Sequence, residues 1–312
     1  MPARYHHIPV QDSGGMSLHL PIVDVGEGPP RLAVIAGIHG DEPSPLLLVD
    51  RFVAALADRE MLGAVRIVAA ANPPALLQRA RWSNWDDEDM NRVGDGDGGP
   101  ALTRRLASAV CDAAMGCILA VNLHNFVMRT PLLAIQPPGQ TPERKERHAK
   151  MIAALDPHVV WVFGQSPEDE RAFSSSLDAA MERRGIEVLA VEMSDIPELD
   201  EPLLARGVAG LMRLAALTGC IEDRERPVRR NTIFVSRKLI RSPGAGIFEP
   251  IAPLAGPIAE GDTLGELIPM ERPGQRVPVF APAGGFLIQR LGRRFVRPGD
   301  MIAAIGMAIP GA

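Results

Sequence analysis

Until about residue 225 the chain alternates between short continuous apolar runs and longer stretches in which apolar residues recur three and four positions apart. The first kind reads as strands buried on both faces, the second as amphipathic helices. Leu32-Ala33-Val34-Ile35-Ala36 is the first such strand, and Gly37 and Gly40 mark where the chain leaves the sheet. Pro43 then suits a first helical turn, and Leu46, Leu47, Val49, Phe52, Val53 and Leu56 keep helical spacing up to Arg59. Ala64 to Ala71 is the next buried strand, stopped by Asn72-Pro73-Pro74. The same alternation predicts a helix over 101–114, a strand over 118–124, a short strand from Pro131 to Gln136 and a helix near 142–154. It goes on with a strand over 158–164, a helix over 173–184, a strand over 186–193 and a helix near 198–219. Strand, helix, strand in succession implies parallel pairing. The expected fold is therefore α/β, a mixed but mostly parallel sheet with helices on both faces. Partial alternation over 5–25, closed by Gly26-Glu27-Gly28-Pro29-Pro30, predicts a hairpin at the sheet edge.

Two segments depart from this rhythm. Residues 73–100 are polar and irregular, and so long a loop inside a compact domain is usually functional or disordered. Beyond about residue 225 the chain turns to Gly, Pro and short β-rich pieces, which sets a domain of residues 1–225 against a smaller all-β unit of residues 226–312. That unit carries a weak internal repeat: Ile258–Ile268 echoes Val296–Ile305, each half a turn followed by a strand. The pattern resembles the flattened barrel of biotinyl and lipoyl carrier domains. Such carriers need a lysine at a hairpin tip, and the chain's lysines are Lys145, Lys150 and Lys238. The unit is expected to be structural or to cover a pocket.

Composition narrows the function classes. With 312 residues and 46% hydrophobic content the chain can bury a substantial core. A net charge of -5 gives no basic face for nucleic acid, and Arg226-Pro227-Val228-Arg229-Arg230 is too short to make one. The amino terminus has no charged region followed by an apolar one, and no apolar run approaches the ~18 residues of a membrane span. The expected location is the cytoplasm, with no membrane partner. Cys111, Cys117 and Cys220 lack paired spacing and sit in apolar surroundings, as free buried thiols do.

The candidate chemistry lies at strand ends. His39 and Glu42 stand three residues apart where the first buried strand finishes, and His124 finishes another. In open α/β sheets ligands bind outside the carboxyl ends of the strands, and two His plus one Glu with an open fourth position is a catalytic zinc set. His6, His7, His19, His148 and His158 have no comparable partner in the sequence. Glu192 closes the run Ile186–Met193, so an acid sits at the same carboxyl edge. Placed against a water on the metal, it could take the water's proton and return it to a leaving amine. Asp195 is a rival for that task. In the long loop Arg81 and Arg92 are candidate anion binders, because a guanidinium forks onto a carboxylate.

In this order, His39-Gly40-Asp41-Glu42, Asn72-Pro73, Arg81, Asp89-Met90-Asn91-Arg92, Leu123-His124 and Val191-Glu192 resemble the signature of the succinylglutamate desuccinylase and aspartoacylase family, which belongs with the zinc carboxypeptidases. The match spans about residues 30–220. The resemblance implies zinc-dependent hydrolysis of an N-acyl amino acid, with one zinc per chain on His39, Glu42 and His124. It further implies that Asn91 and Arg92 grip the substrate carboxylate, that Arg81 donates to the scissile carbonyl oxygen, and that Asp89 orients His39 through its other ring nitrogen. Glu192 is the implied base. Four departures stand out: Val93-Gly94-Asp95-Gly96 where Phe-Pro-Gly is usual after the arginine, Asn122 where an Asp often precedes the second His, an atypical Asn125, and Met193-Ser194-Asp195 after the Glu.

Two other functions stay open at this point. A carboxypeptidase-like peptidase would use the same ligands, and a catalytically silent relative would bind a carboxylated small molecule or a partner through the β unit. The retained ligands, candidate base and arginines favour the deacylase. Neither the acyl group, the amino acid nor assembly into a homo-oligomer is fixed by the sequence.

Overall fold

The computed structural model describes residues 3–13, 16–94, 99–164, 167–195, 199–222 and 232–309. A hairpin of β1 (Ala3–Ser13) and β2 (Met16–Val25) leads into β3 (Pro30–Ile35), α1 (Ser44–Leu56), β4 (Ala64–Val68) and α2 (Pro73–Gln78). Next come α3 (Leu102–Ala114), β5 (Leu119–Phe126), β6 (Leu133–Gln136), α4 (Pro142–Leu155) and β7 (Val159–Val162). The unit finishes with α5 (Pro167–Ser174), α6 (Leu177–Arg183), β8 (Glu187–Ser194) and α7 (Glu201–Leu217). Strands β4, β3, β5 and β8 lie side by side and parallel, with β1 on the outer edge beyond β2 and with β6 antiparallel to β8.

The continuous apolar runs explain themselves once both faces are seen. Leu32 and Val34 of β3 pack with Leu48, Phe52 and Leu56 of α1 and with Leu204 and Leu211 of α7. Ala33 and Ile35 point the other way, into a second core with Leu106 and Val110 of α3 and Leu177 and Met181 of α6. Successive residues of a strand face opposite sides, so a strand covered by helices on both has no polar position to spare. Each such Leu or Ile contributes about 1.5 to 3 kcal/mol of burial.

Several boundaries differ from expectation for local reasons. The 73–100 stretch is not irregular throughout: Asn72 accepts a hydrogen bond from Ala75 N at 3.3 Å, and Pro73 and Pro74 occupy the first helical turn of α2. An Asn before Pro is a helix start, and the same residues that end strand pairing begin this helix. Further along, Asp86 accepts from both the backbone N and the hydroxyl of Thr103, at 2.7 and 2.8 Å, which ties the loop to the start of α3. The single helix expected over 173–184 is two, broken at Ser176, whose hydroxyl accepts from Ala179 N at 3.1 Å. Strand β5 runs on past His124 because Asn125 and Phe126 pair with Met193 and Ser194 of β8.

The boundary placed between residues 225 and 226 lies outside the described residues, as do Arg226–Arg230. From β9 (Ile233–Arg241) onward the described chain is β: β10 (Gly246–Pro250), β11 (Pro257–Ile258), β12 (Thr263–Pro269), β13 (Val277–Phe280), β14 (Gly285–Arg290), β15 (Arg294–Val296) and β16 (Met301–Ala308). Strand β9 pairs parallel with β7, and β16, β14 and β11 extend the sheet from there, so among the described residues one sheet of twelve strands runs through both units. A second sheet, in the order β13-β12-β10-β15, closes over it around Phe248, Leu264, Leu287 and Ile302. The internal repeat is real in three dimensions. Asp262 accepts from Ala259 N and Asp300 from Arg297 N, both at 2.8 Å, each in the turn that launches its strand, β12 in one sheet and β16 in the other. Lys238 sits inside β9 opposite Ile305, away from any hairpin tip.

At the other end of the sheet, buried Asp24 on β2 receives a two-pronged bond from Arg66 on β4, at 2.8 and 2.9 Å. Burial alone would raise this carboxyl, yet the Arg66 bonds and charge, with His6 at 3.1 Å, bring it below the usual carboxylate range. A carboxyl depressed in the folded state adds stability above its unfolded pKa, ~4, and that contribution is lost as pH falls through the lower folded value. Asp24→Ala leaves the guanidinium without its partner and should cost about 3 kcal/mol at neutral pH, read from the urea midpoint. The deficit should shrink below about pH 4; a deficit unchanged at pH 3 would show that packing rather than charge is at stake.

Candidate functional site

The loop after β3 brings the first two ligands into place, and its path depends on two glycines. Gly37 has φ +72°, in the left-handed region, and a Cβ there would meet Ala69 O at 2.8 Å. A Cβ on Gly40 would stand 1.9 Å from Ala75 O, inside α2. Helix α2 therefore packs directly on the loop. Gly40 N bonds Ala80 O at 2.9 Å, and the turn closes with Glu42 N on His39 O.

Within this frame the three expected ligands converge. Nδ1 of His39 lies 2.6 Å from Oε1 of Glu42, and Nδ1 of His124 lies 2.8 Å from Oε2 of the same carboxylate. All three residues are buried, and one donor atom from each falls within 4.8 Å of the others. Two imidazoles and a carboxylate at that separation suit a small divalent cation, whose bonds to N and O are ~2.0 to 2.2 Å. The surroundings suit it too. Nε2 of His39 faces Asp89 Oδ1 at 3.1 Å, the carboxylate-histidine pairing that fixes a metal-binding ring and raises its basicity. Asp89 is itself held by Arg81 Nε at 2.9 Å and by Asn91 N at 2.8 Å. Arg81 also stands 3.6 Å from Glu42.

The electrostatics follow from one carboxylate between two rings. Burial would raise the Glu42 carboxyl, but the His124 and His39 rings outweigh burial and hold it well below the usual range. Burial would lower both histidines; Asp89 and Glu42 lift His39, and Glu42 with the nearby Glu192 lifts His124 above the ordinary value. Asp89 is likewise depressed, with His39 and Arg81 overcoming its burial.

Around the triad opens a pocket of about 700 Å³, lined by His39, Glu42, His124, Glu192, Arg81, Asn91 and Arg92 among others. Glu192 stands on β8 directly across from His124 on β5. Its Oε2 is enclosed and has no hydrogen-bond partner among the described residues, and burial pushes the carboxyl up, to about 8. Asp195 lies past the end of β8, its N bonded to Phe126 O, and is not among the pocket-lining residues. Asn91 uses its side-chain oxygen on Leu177 N at 3.0 Å, pinning the start of α6, so only its NH2 could serve a substrate carboxylate. Arg92 Nη1 donates to Asn91 O at 2.5 Å, at the pocket wall.

Residues 29–218 match the family model for the succinylglutamate desuccinylase/aspartoacylase catalytic domain. The chain belongs to that family. It is 23% identical over 307 residues, 95% of its length and 87% of the other's, to the N-alpha-acetyl-L-2,4-diaminobutyric acid deacetylase of Halomonas elongata. Solved structures of the same fold include a succinylglutamate desuccinylase/aspartoacylase from Rhodobacter sphaeroides, at TM-score 0.80 and 20% identity, covering 98% of this chain and 96% of that one. The product-bound ectoine utilization protein EutE (DoeB) from Ruegeria pomeroyi superposes at TM-score 0.80 with 21% identity, covering 98% and 94%.

The departures from the desuccinylase/aspartoacylase pattern have structural partners. Asn122 donates its NH2 to buried Asp178 on α6 at 2.6 Å, so a carboxylate is present there but comes from a helix rather than from β5. Asn125 donates its backbone N to Glu42 Oε2 at 3.2 Å and accepts from Ser44 N at 3.0 Å, joining the ligand to the first turn of α1. Asp95 and Gly96 lie outside the described residues. Asp178 escaped the sequence reading because it sits in an ordinary amphipathic helix. So did Ser236, Arg237, Leu239 and Arg241, which close the pocket from β9.

Both histidines must shed protons to hold a cation, and both are raised by their acidic neighbours, so metal retention should fall as pH drops, with more than one proton taken up per ion released. His39→Ala should lose the bound divalent metal. Full metal content by elemental analysis in that variant would place the site elsewhere.

Proposed function

We propose that the chain is a zinc-dependent hydrolase that cleaves the amide bond of an N-acyl amino acid, with one zinc ion per chain on His39, Glu42 and His124. The observation that carries this is the convergence of the three donors beside an enclosed acid, in one pocket with two arginines. Family membership supports it, and so does the deacetylase activity named for the Halomonas relative. The same reading takes residues 1–225 as the catalytic domain and 226–312 as the unit that covers the pocket. No helix among the described residues is long and apolar enough to cross a membrane, and we place the activity in the cytoplasm.

Bound there, zinc would supply Lewis acidity and bring a water's pKa to about 7. Asp89 holds His39 in one ring orientation, with Arg81 and Asn91 N holding Asp89. Because Nε of Arg81 is committed to Asp89, its planar guanidinium is held in place with the terminal nitrogens, one of them 3.6 Å from Glu42, left to serve the scissile carbonyl oxygen. Arg92 and the NH2 of Asn91 take the substrate carboxylate. Glu192 accepts the water's proton and returns it to the amine nitrogen, which leaves poorly unless protonated. Its enclosed, partnerless oxygen and raised pKa make it a good proton carrier near neutral pH.

A panel of N-acetyl and N-succinyl amino acids, N-acetyl-2,4-diaminobutyrate among them, together with dipeptides, tests the activity. Hydrolysis of dipeptides but of no N-acyl amino acid would move the chain to the peptidases, and zinc without turnover of either would make it a silent binder. Glu192→Gln keeps shape and removes the titrating group. It should retain zinc and KM while kcat falls roughly 10²- to 10⁴-fold. Because the base must be deprotonated, kcat/KM in the wild type should rise with pH through a value at or below 8, since a neighbouring cation lowers it, and the variant should lack that limb. Near wild-type turnover in Glu192→Gln would remove the role.

Arg92→Lys keeps the charge and loses the fork, so kcat/KM should drop by about 1.5 to 3 kcal/mol. Methyl esters cleaved as fast as free acids would leave Arg92 without this role.

A further inference from the structure

The chain is poor in aromatic residues, with nine Phe, three Trp and one Tyr in 312 positions, yet four of them line this one pocket: Phe126, Trp161, Phe163 and Phe173. They come from four elements or their ends, β5, β7, the segment after β7, and α5. Trp161 and Phe163 meet edge-on with ring centroids 4.5 Å apart, and Phe173 follows at 6.4 Å from Phe163. Over Trp161 lies the guanidinium of Arg237, 3.7 Å from the ring centroid and 5.6 Å from that of Phe126. Arg237 comes from β9, and its Nη1 donates to buried Gln289 at 3.4 Å. The second unit thus completes a wall that the first begins.

Trp161 is sealed beneath the guanidinium at 6% exposure, but the three phenylalanines are only half-buried and their remaining surface lines the pocket beside the catalytic acid. Apolar rings left part-wet around a polar centre gain when a ligand covers them. Ring edges and faces set at steep angles, 62° and 56° in the two pairs, suit a flat ring that adds a further edge-to-face contact. A cationic group is disfavoured, since Arg237 already occupies the face where a cation would sit. A carboxylate would lose its water against the phenylalanines.

We propose that this wall is a subsite for an aryl group carried by the substrate, with Phe163 and Phe173 as contact residues and Arg237, stacked on Trp161, as the positioning residue that holds the wall in shape. The proposal rests on the pocket being the N-acyl amino acid site. The aryl group can sit on the acyl side or on the amino acid, and the test separates the two.

Turnover is compared for N-acetylglycine, N-benzoylglycine, N-acetyl-L-phenylalanine, N-succinylglycine and N-acetyl-L-lysine. Calorimetric binding of the same compounds to zinc-loaded Glu192→Gln gives a second readout. One aryl compound should exceed N-acetylglycine at least tenfold in kcat/KM and in affinity; benzoylglycine in the lead assigns the ring to the acyl group, acetylphenylalanine to the amino acid. Phe163→Ala should cut that aryl-to-methyl ratio at least fivefold, mostly through KM, and Arg237→Gln should lower it less. The ratio is taken within one sample, so a variant that folds poorly does not mimic the effect. Equal rates for aryl and methyl compounds, a ratio untouched by Phe163→Ala, or preference for the succinyl or lysyl compound would overturn the subsite while leaving the hydrolase standing. Aryl binding without any hydrolysis would uphold the subsite and reject the hydrolase; neither binding nor hydrolysis would reject both.

Discussion

A single carboxylate, Glu42, is shared by two buried imidazoles, His39 from the loop after β3 and His124 from the neighbouring strand β5, and most of the site is arranged to make that meeting tolerable. Two rings and an acid taken out of water cost several kcal/mol each unless every charge finds a partner. Glu42 faces Nδ1 of both histidines and the backbone N of Asn125. Asp89 answers the far side of His39, and Arg81 answers Asp89. The chain of partners runs from His124 through Glu42, His39 and Asp89 to Arg81 at the pocket wall, which gives the three candidate donors the fixed geometry that a cation with short, directional bonds would require.

Backbone geometry imposes the same constraint from beneath. Gly40 must lack a side chain because α2 presses on the ligand loop, and α2 exists because Asn72 and two prolines start a helix where a strand has just ended. Asn125 carries the constraint to α1 through Ser44 N. The elements that hold the ligands are thus held by the ligands' own neighbours.

The second unit belongs to the site as well as to the fold. Because β9 joins the sheet beside β7, residues more than a hundred positions from the ligands stand at the pocket edge, and Arg237 lies flat on Trp161. The Asp262 and Asp300 turns repeat one hydrogen bond at two places and send one strand to each sheet, so that the two sheets close on a shared core.

The sequence alone determined the layering, since a strand read as apolar at every position must be covered on both sides, and it marked His39, Glu42 and His124 because polar residues at the ends of such strands have little structural reason to be there. Most of the order of helices and strands, the edge hairpin and the internal repeat were equally legible, being written in local periodicity, whereas α2 and the break between α5 and α6 rest on single capping residues that periodicity does not register. What remained hidden was whatever depends on contacts between distant segments. The Asn122–Asp178 pair joins a strand to a helix 56 positions away; Asn125 looked atypical until its partners on α1 and Glu42 were in view; Arg237 is one of three basic residues in β9, and nothing in the chain sets it apart from Lys238 and Arg241. Periodicity reports which face of an element meets the core. Which residues meet across the pocket is set by strand order and by where each loop is made to turn, and those are properties of the assembled sheet.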